Sequence, residues 1–204
     1  MSAPARSRRT SDHFFVGAAV GVASLLFAVL VGRDDLAGVS VFVGRFHPLA
    51  VHLPIGVLLL AGLLEGLALS PRLRARIDPA FAIILRFALV SLVVAFAIGL
   101  LLASGGGYPE RLLRLHQRLA FGTIWGSAAS VVMWSKHVER RSSRLPHRLA
   151  LGGTLALLAI GAHFGGSMTH GESYLVQHAP SFAKRWLRLG DPRGERRLPV
   201  RPSP

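Results

Sequence analysis

The stretch PAFAIILRFALVSLVVAFAIGLLLAS, residues 79–104, contains a single ionisable side chain, Arg86. A bilayer hydrocarbon core of roughly 30 Å is crossed by about 20 consecutive apolar residues in a helix. This run exceeds that length, so its reading is a transmembrane helix. Working outward, four more apolar runs of comparable length appear, at about residues 14–32, 49–69, 113–135 and 149–168, with the charges gathered in short blocks between them. The expectation is an all-α polytopic membrane protein with about five transmembrane helices. Residues 1–46 hold the N-terminus, an anchor helix and an outer-surface segment around Leu36 to Val43. Residues 47–180 form a four-helix membrane bundle, and residues 181–204 a basic tail.

Composition agrees. The chain has 204 residues, 51% of them hydrophobic and 17% charged, which is a membrane profile. A net charge of +14 often points to nucleic acid. Here the cations sit in loops and tail and no nucleic-acid motif is present, so the partner they suit is the bilayer and its anionic lipid. There is no cysteine, which excludes disulfides and covalent c-type haem attachment, so any cofactor is held noncovalently.

Lys and Arg are retained in cytoplasmic loops. One set of loops carries Arg6, Arg8 and Arg9, then Arg72, Arg74 and Arg76, then Lys136, Arg140, Arg141, Arg144 and Arg148; the opposite set carries Arg33, Arg45, Arg111 and Arg114. The N-terminus is therefore read as cytoplasmic and, after five crossings, the C-terminus as periplasmic, in a bacterial inner membrane. The first apolar run is read as a retained anchor, because it outlasts a signal-peptide core and Gly32-Arg33-Asp34 lacks a small-x-small cleavage site.

Ser104 to Pro109 reads as a turn, since successive glycines before a proline cannot continue a helix. No P-loop pattern follows it. Glycines recur four apart at Gly17 and Gly21, Gly62 and Gly66, Gly122 and Gly126, and Gly161 and Gly165. Such pairs let helices approach closely in lipid, so a tight bundle is expected. In the tail, Ser181 to Leu189 interleaves apolar and basic residues, as an interfacial helix does, and the Arg- and Pro-rich end beyond Gly190 reads as disordered.

Histidines carry the chemistry. With this topology His47 and His52 fall at the outer start of the second helix, His116 at the outer start of the fourth, and His163 and His170 at the outer end of the fifth. An imidazole in a membrane helix is costly unless it has a partner or a task, so convergence from three helices argues for a shared site. His163 and His170 share one helix face. His47 and His52 point in different directions, and His52, the deeper, is the better inward candidate. His47 precedes Pro48 at the helix entrance, where it can reach water or headgroups. His13, His137, His147 and His178 lie in flanks or loops and are given no role.

Three readings compete for the cluster: interfacial hydrogen bonding alone, a copper, zinc or iron site, and a b-type haem held between histidines of facing helices. Only Glu172 accompanies the cluster as a carboxylate, and Gly165 and Gly166 leave room for a flat macrocycle. Haem b is favoured, with His52 and His163 as the iron ligands, His116 as the substitute and His170 nearby. A structural or assembly subunit without cofactor is the alternative. A metal transporter or sensor is disfavoured, because no continuous polar path crosses the bundle. Two further ionisable groups, Glu65 in the second helix and Arg86 in the third, lie at similar depth and read as a buried ion pair, with a proton-relay or quinone-contact role as the minority alternative.

Phe46-His47-Pro48-Leu49-Ala50-Val51-His52-Leu53-Pro54-Ile55, the apolar run to Glu65 and the position of His116 resemble an uncharacterised bacterial membrane family, domain-of-unknown-function family 2231. The ending from Ala162 to Leu175 is similar to the planctomycete-type version, which often precedes a c-type cytochrome region. The likeness covers about residues 47–180. It raises the haem reading, in which the chain is an electron-transfer subunit of a larger redox assembly. No cytochrome domain follows here, so a c-type partner, or a quinone-linked complex, would be a separate protein.

A reporter fused within residues 70–77 is expected to read cytoplasmic and one fused after Pro180 periplasmic; a cytoplasmic tail would mean that one crossing is miscounted.

Overall fold

A computed structural model describes residues 16–22, 24, 39–171 and 180. Among them the chain is helix and turn throughout. Residues 16–22 and 24 are helical, and Val16, Ala19 and Val20 pack against the core. The rest of the first apolar run, most of the stretch between it and the second helix, and the tail after Pro180 lie outside the described residues. So does the proposed interfacial helix.

The bundle proper has six elements. A short helix α1 (Val39–Gly44) leads into one turn, α2 (His47–Ala50), and then α3 (His52–Leu67). The three run almost end to end, because Pro48 and Pro54 each remove one backbone donor and interrupt the ladder without turning the chain. The amides of Ala50, Val51 and Ile55 bridge the joints by donating to the carbonyls of Phe46, His47 and Val51. Then come α4 (Pro71–Ala103), α5 (Glu110–Arg140) and α6 (Leu145–His170). The α4 helix starts two turns before the span expected at Pro79: Pro71 sits in its first turn, where no N–H is needed, and Pro79 is accommodated inside. The glycine turn is as expected, with Gly106 and Gly107 at φ 73° and 85°.

Among the described residues three stretches are long and apolar enough to cross a membrane: Ser40–Leu67, Pro71–Ala103 and Leu145–His170. The 31-residue α5 is long enough, but cations at both ends dilute its apolar middle, and it is not among the three. The segment expected on the outer surface is the helical α1, packed on the last turn of α4: Val41 lies against Gly105, and a Cβ on Gly44 would fall 2.3 Å from the Leu102 amide nitrogen.

The core is one stripe per helix. In α4 it is Phe81, Leu85, Ala88, Leu92 and Phe96, at spacings of three or four, which keeps them on one face. It meets Leu58 and Ala61 of α3, Ile124, Ala128 and Val131 of α5, and Leu151 of α6. The outward faces are apolar too: Leu59, Leu63, Ile83, Val94 and Leu149 are each more than half exposed. A helix apolar on both faces suits lipid outside and side chains inside. The tightest seam is α5 against α6. There a Cβ on Gly126 would meet Thr154 Oγ1 at 2.5 Å, and Gly122 and Gly161 face Leu157 and Leu119. Gly17, Gly21 and Gly66 face nothing within 4 Å, so only some of the glycine pairs serve close approach.

The substitution Gly44→Ala must push α1 off the backbone of α4 and is expected to cost about 1–3 kcal/mol of stability. Gly66→Ala, with open space around it, should be neutral or slightly stabilising by up to about 1 kcal/mol. Unfolding of the two purified variants in detergent compares them directly.

Candidate functional site

Two imidazoles meet near the glycine turn. His47, on the single turn of α2, reaches across to α4, where its Nδ1 donates to the Ala95 carbonyl at 3.0 Å and its ring lies in the space left by Gly99. His116, two turns into α5, donates from Nδ1 to the Gly161 carbonyl of α6 at 2.8 Å, and its ring fills the space beside Gly165. The ring centres are 6.4 Å apart and the planes near perpendicular, at 84°. A carbonyl can only accept, so in both rings Nδ1 carries the proton and Nε2 presents a lone pair. This is the orientation that a metal-ligating histidine takes, held by a hydrogen bond from its other nitrogen.

Of the histidines expected to form the site, only His116 takes an inward place. His52 is exposed and turns back to donate to the carbonyl of Pro48. His163 is exposed and packs edge-on against its neighbour Phe164. His170, at the last residue of α6, is exposed. The inward partner is His47, which depth alone had placed at the water. His47 and His52 are five residues apart on near-continuous helix, about 140° apart around its axis, so with His47 on α4 His52 comes round to the outside. The space beside Gly165, expected to admit a macrocycle, is taken by the His116 ring. His13 and His178 lie outside the described residues.

The fit rests on the donor set: two imidazoles from different helices, ring centres 6.4 Å apart, each with Nδ1 held by a backbone carbonyl. Two neutral imidazoles are also the donor set of a b-type haem iron, whose macrocycle supplies the other four nitrogens. Among the described residues no group of three or more His, Asp or Glu could hold a bare ion, and closed zinc sites take four ligands.

The opposite end of the bundle holds a charged cluster. Glu65 of α3 is nearly buried, and its carboxylate is taken not by Arg86 but by two arginines at the start of α6. Arg144 donates from Nε and Nη2 at 3.2 and 2.8 Å, and Arg148 from Nε at 2.8 Å. Arg144 turns its remaining Nη1 to both oxygens of Asp78 on α4, at 2.9 and 3.1 Å, and lays its guanidinium 4.7 Å over the Trp134 ring. The correction has a physical reason. Antiparallel packing brings the end of α3 to the start of α6, and two cations at a helix N-terminus oppose the helix dipole, so a carboxylate is needed there. Burial opposes the charge on Arg144, but the hydrogen bonds and charges of Glu65 and Asp78 outweigh it and push its pKa up. Loop arginines read for topology alone thus turn out to be the partners; the spacing of Arg144, His147 and Arg148 on one helical face was the available signal.

His147, given no role from the sequence, is fully buried in this cluster. Its Nδ1 donates to the Ser130 carbonyl at 3.1 Å, its Nε2 lies 3.8 Å from Glu65 Oε2, and Phe81 and Trp134 meet its ring edge to face.

Replacing Glu65 by Gln leaves two guanidiniums short of their counter-charge and is expected to cost about 3–5 kcal/mol. Asp78→Asn, at the half-exposed rim, should cost only about 1 kcal/mol or less. Denaturant unfolding of the purified variants tests the contrast, and equal losses would contradict it.

Compared with family models, with curated proteins and with solved structures, the chain matches none.

Proposed function

We propose that the protein is a membrane electron-transfer subunit that binds one b-type haem through His47 and His116. The observation that supports this is the imidazole pair: two rings from different helices, each fixed by a backbone carbonyl, with ring centres 6.4 Å apart. When bound, haem supplies reversible one-electron chemistry. The chain's own part is to hold the two Nε2 atoms in place, to fix each ring's orientation through its Nδ1 hydrogen bond, and to surround the pair with apolar helix. On this reading the protein crosses a bacterial inner membrane about five times, α5 included, with the imidazole pair toward the periplasm and the Glu65 cluster toward the cytoplasm, as the loop charges favour. The resemblance read from the sequence of residues 47–180 to domain-of-unknown-function family 2231 belongs to the same proposal, and the electron partner it implies is a separate c-type cytochrome or quinone-linked complex.

A reduced-minus-oxidised visible spectrum of the purified protein tests this. The expected result is the sharp bands of six-coordinate low-spin haem, extractable by acid acetone because no cysteine tethers it. His47→Ala and His116→Ala should each abolish those bands, and the double change should add little, since the two ligands act as a unit. His52→Ala and His163→Ala should keep them. A colourless, folded preparation from cells supplied with ample haem would overturn the proposal; loss of the bands in His163→Ala alone would move a ligand to α6.

A further inference from the structure

The seam between α5 and α6 is polar where lipid-embedded seams need only be small. Thr123, Ser127 and Ser130 follow one another on α5 at spacings of four and three, so they share one face, and each is at most 2% exposed. His116 lies seven residues before Thr123 and continues the same face toward the imidazole pair. From α6, Thr154 and His147 join the stripe, both fully buried. It runs from His116 to Ser130, about 21 Å along the helix axis, and ends where the Ser130 carbonyl meets His147. Beyond His147 stand Glu65 from α3, Asp78 from α4, His137 from α5, and Arg144 and Arg148 from α6.

Close packing explains the size of these residues but not their hydroxyls. Alanine at 127 would pack as closely as serine without burying a polar atom. Yet the buried side-chain atoms that lack a hydrogen-bond partner among the described residues are Ser127 Oγ, His147 Nε2 and Arg148 Nη2. All three belong to this stripe or to the charged cluster at its end. An unpartnered polar atom inside a membrane bundle is costly, and three along one line mark a place built for something that comes and goes.

We propose that the stripe is a proton path joining the Glu65–Arg144–His147 cluster to the His47–His116 pair. A proton is the species that fits. The helices touch too closely for a hydrated ion, as the 2.5 Å approach of a Cβ on Gly126 to Thr154 Oγ1 shows. Thr123, Ser130 and Thr154 donate their hydroxyl protons to carbonyls one turn back, at 2.7 to 3.0 Å, which leaves oxygen lone pairs open to accept. In the neutral His147 ring the Nε2 lone pair faces the carboxylate of Glu65. A proton delivered from the half-exposed Asp78 and Arg148 rim binds there, and the ring then passes its Nδ1 proton to the Ser130 hydroxyl, which a rotamer change brings round from the Gly126 carbonyl; the ring is left neutral with its proton on Nε2, and a ring flip restores the starting form. Each hydroxyl gains one O–H bond as it gives up another, and no electron moves. Steps of about one helical turn call for one water or one rotamer change each, and the two-turn interval past Ala120 from Thr123 to His116 calls for a short chain of waters.

The haem-free full-length protein in liposomes that enclose a pH-sensitive dye, with membrane potential clamped by valinomycin and potassium, gives the test. Acidifying the medium should acidify the lumen faster than in protein-free vesicles. Ser127→Ala should slow this by about tenfold or more while leaving thermal stability equal or higher, and Ser127→Thr, which restores a hydroxyl, should recover it. His147→Gln, polar but unable to titrate, should also block it. Proton entry no faster than in empty vesicles, or a folded Ser127→Ala variant that conducts like the parent, would overturn the proposal. Haem binding plays no part in this measurement, so the two proposals fail separately.

Discussion

Glu65 carries one negative charge into the apolar interior, and the end of the bundle around it is organised to meet that charge. A buried carboxylate is tolerated only when paired and hydrogen-bonded, and here three guanidinium N–H groups converge on its two oxygens. Because Arg144 also forks onto Asp78, a single side chain ties α3, α4 and α6 at the same depth. Its stacking over Trp134 adds α5. Lipid supplies no hydrophobic drive to hold helices together, so a directional contact of this kind sets their register where packing alone would permit sliding.

The opposite end is fixed by a different device. There the imidazoles of His47 and His116 donate to carbonyls on neighbouring helices, and glycines open the space that the rings occupy. A helical carbonyl that already accepts from its own ladder has a second lone pair, so it can take an imidazole N–H without breaking the helix. Each histidine thereby cross-links two helices and keeps a free nitrogen, which is what a ligand to iron requires. The two ends share a logic: their buried charged groups and imidazoles cross-link helices, and among the described residues the buried side-chain atoms left without a partner are Ser127 Oγ, His147 Nε2 and Arg148 Nη2.

Between these ends the α5–α6 seam combines close contact with buried hydroxyls. Most of them return to the carbonyl four residues back, a bond that costs the helix little and hides the donor. Ser127 has no such bond. The exception stands midway along the stripe, so the polar line is continuous in sequence register but not closed by hydrogen bonds.

Much of the architecture was legible in the amino-acid order. Long apolar runs, the glycine turn before Pro109 and the positions of the cations determine where helices begin and end, because those signals act over a few residues through backbone geometry and solvation; the start of α4 at Pro71, two turns before the expected Pro79, was missed. Depth was legible too: His47, His52, His116 and His163 all lie toward one end, and Glu65 toward the other. What only the tertiary structure decided was direction around the helix axis. His47 faces inward and His52 outward, while His163 falls on the outer face of α6. Direction also brings Arg144 and Arg148, which a loop census treats as topology signals, onto Glu65 in place of Arg86. Side-chain phase between helices depends on how ridges and glycine gaps interlock across the bundle, and that interlocking is set by contacts between residues far apart in sequence, which no single helix records.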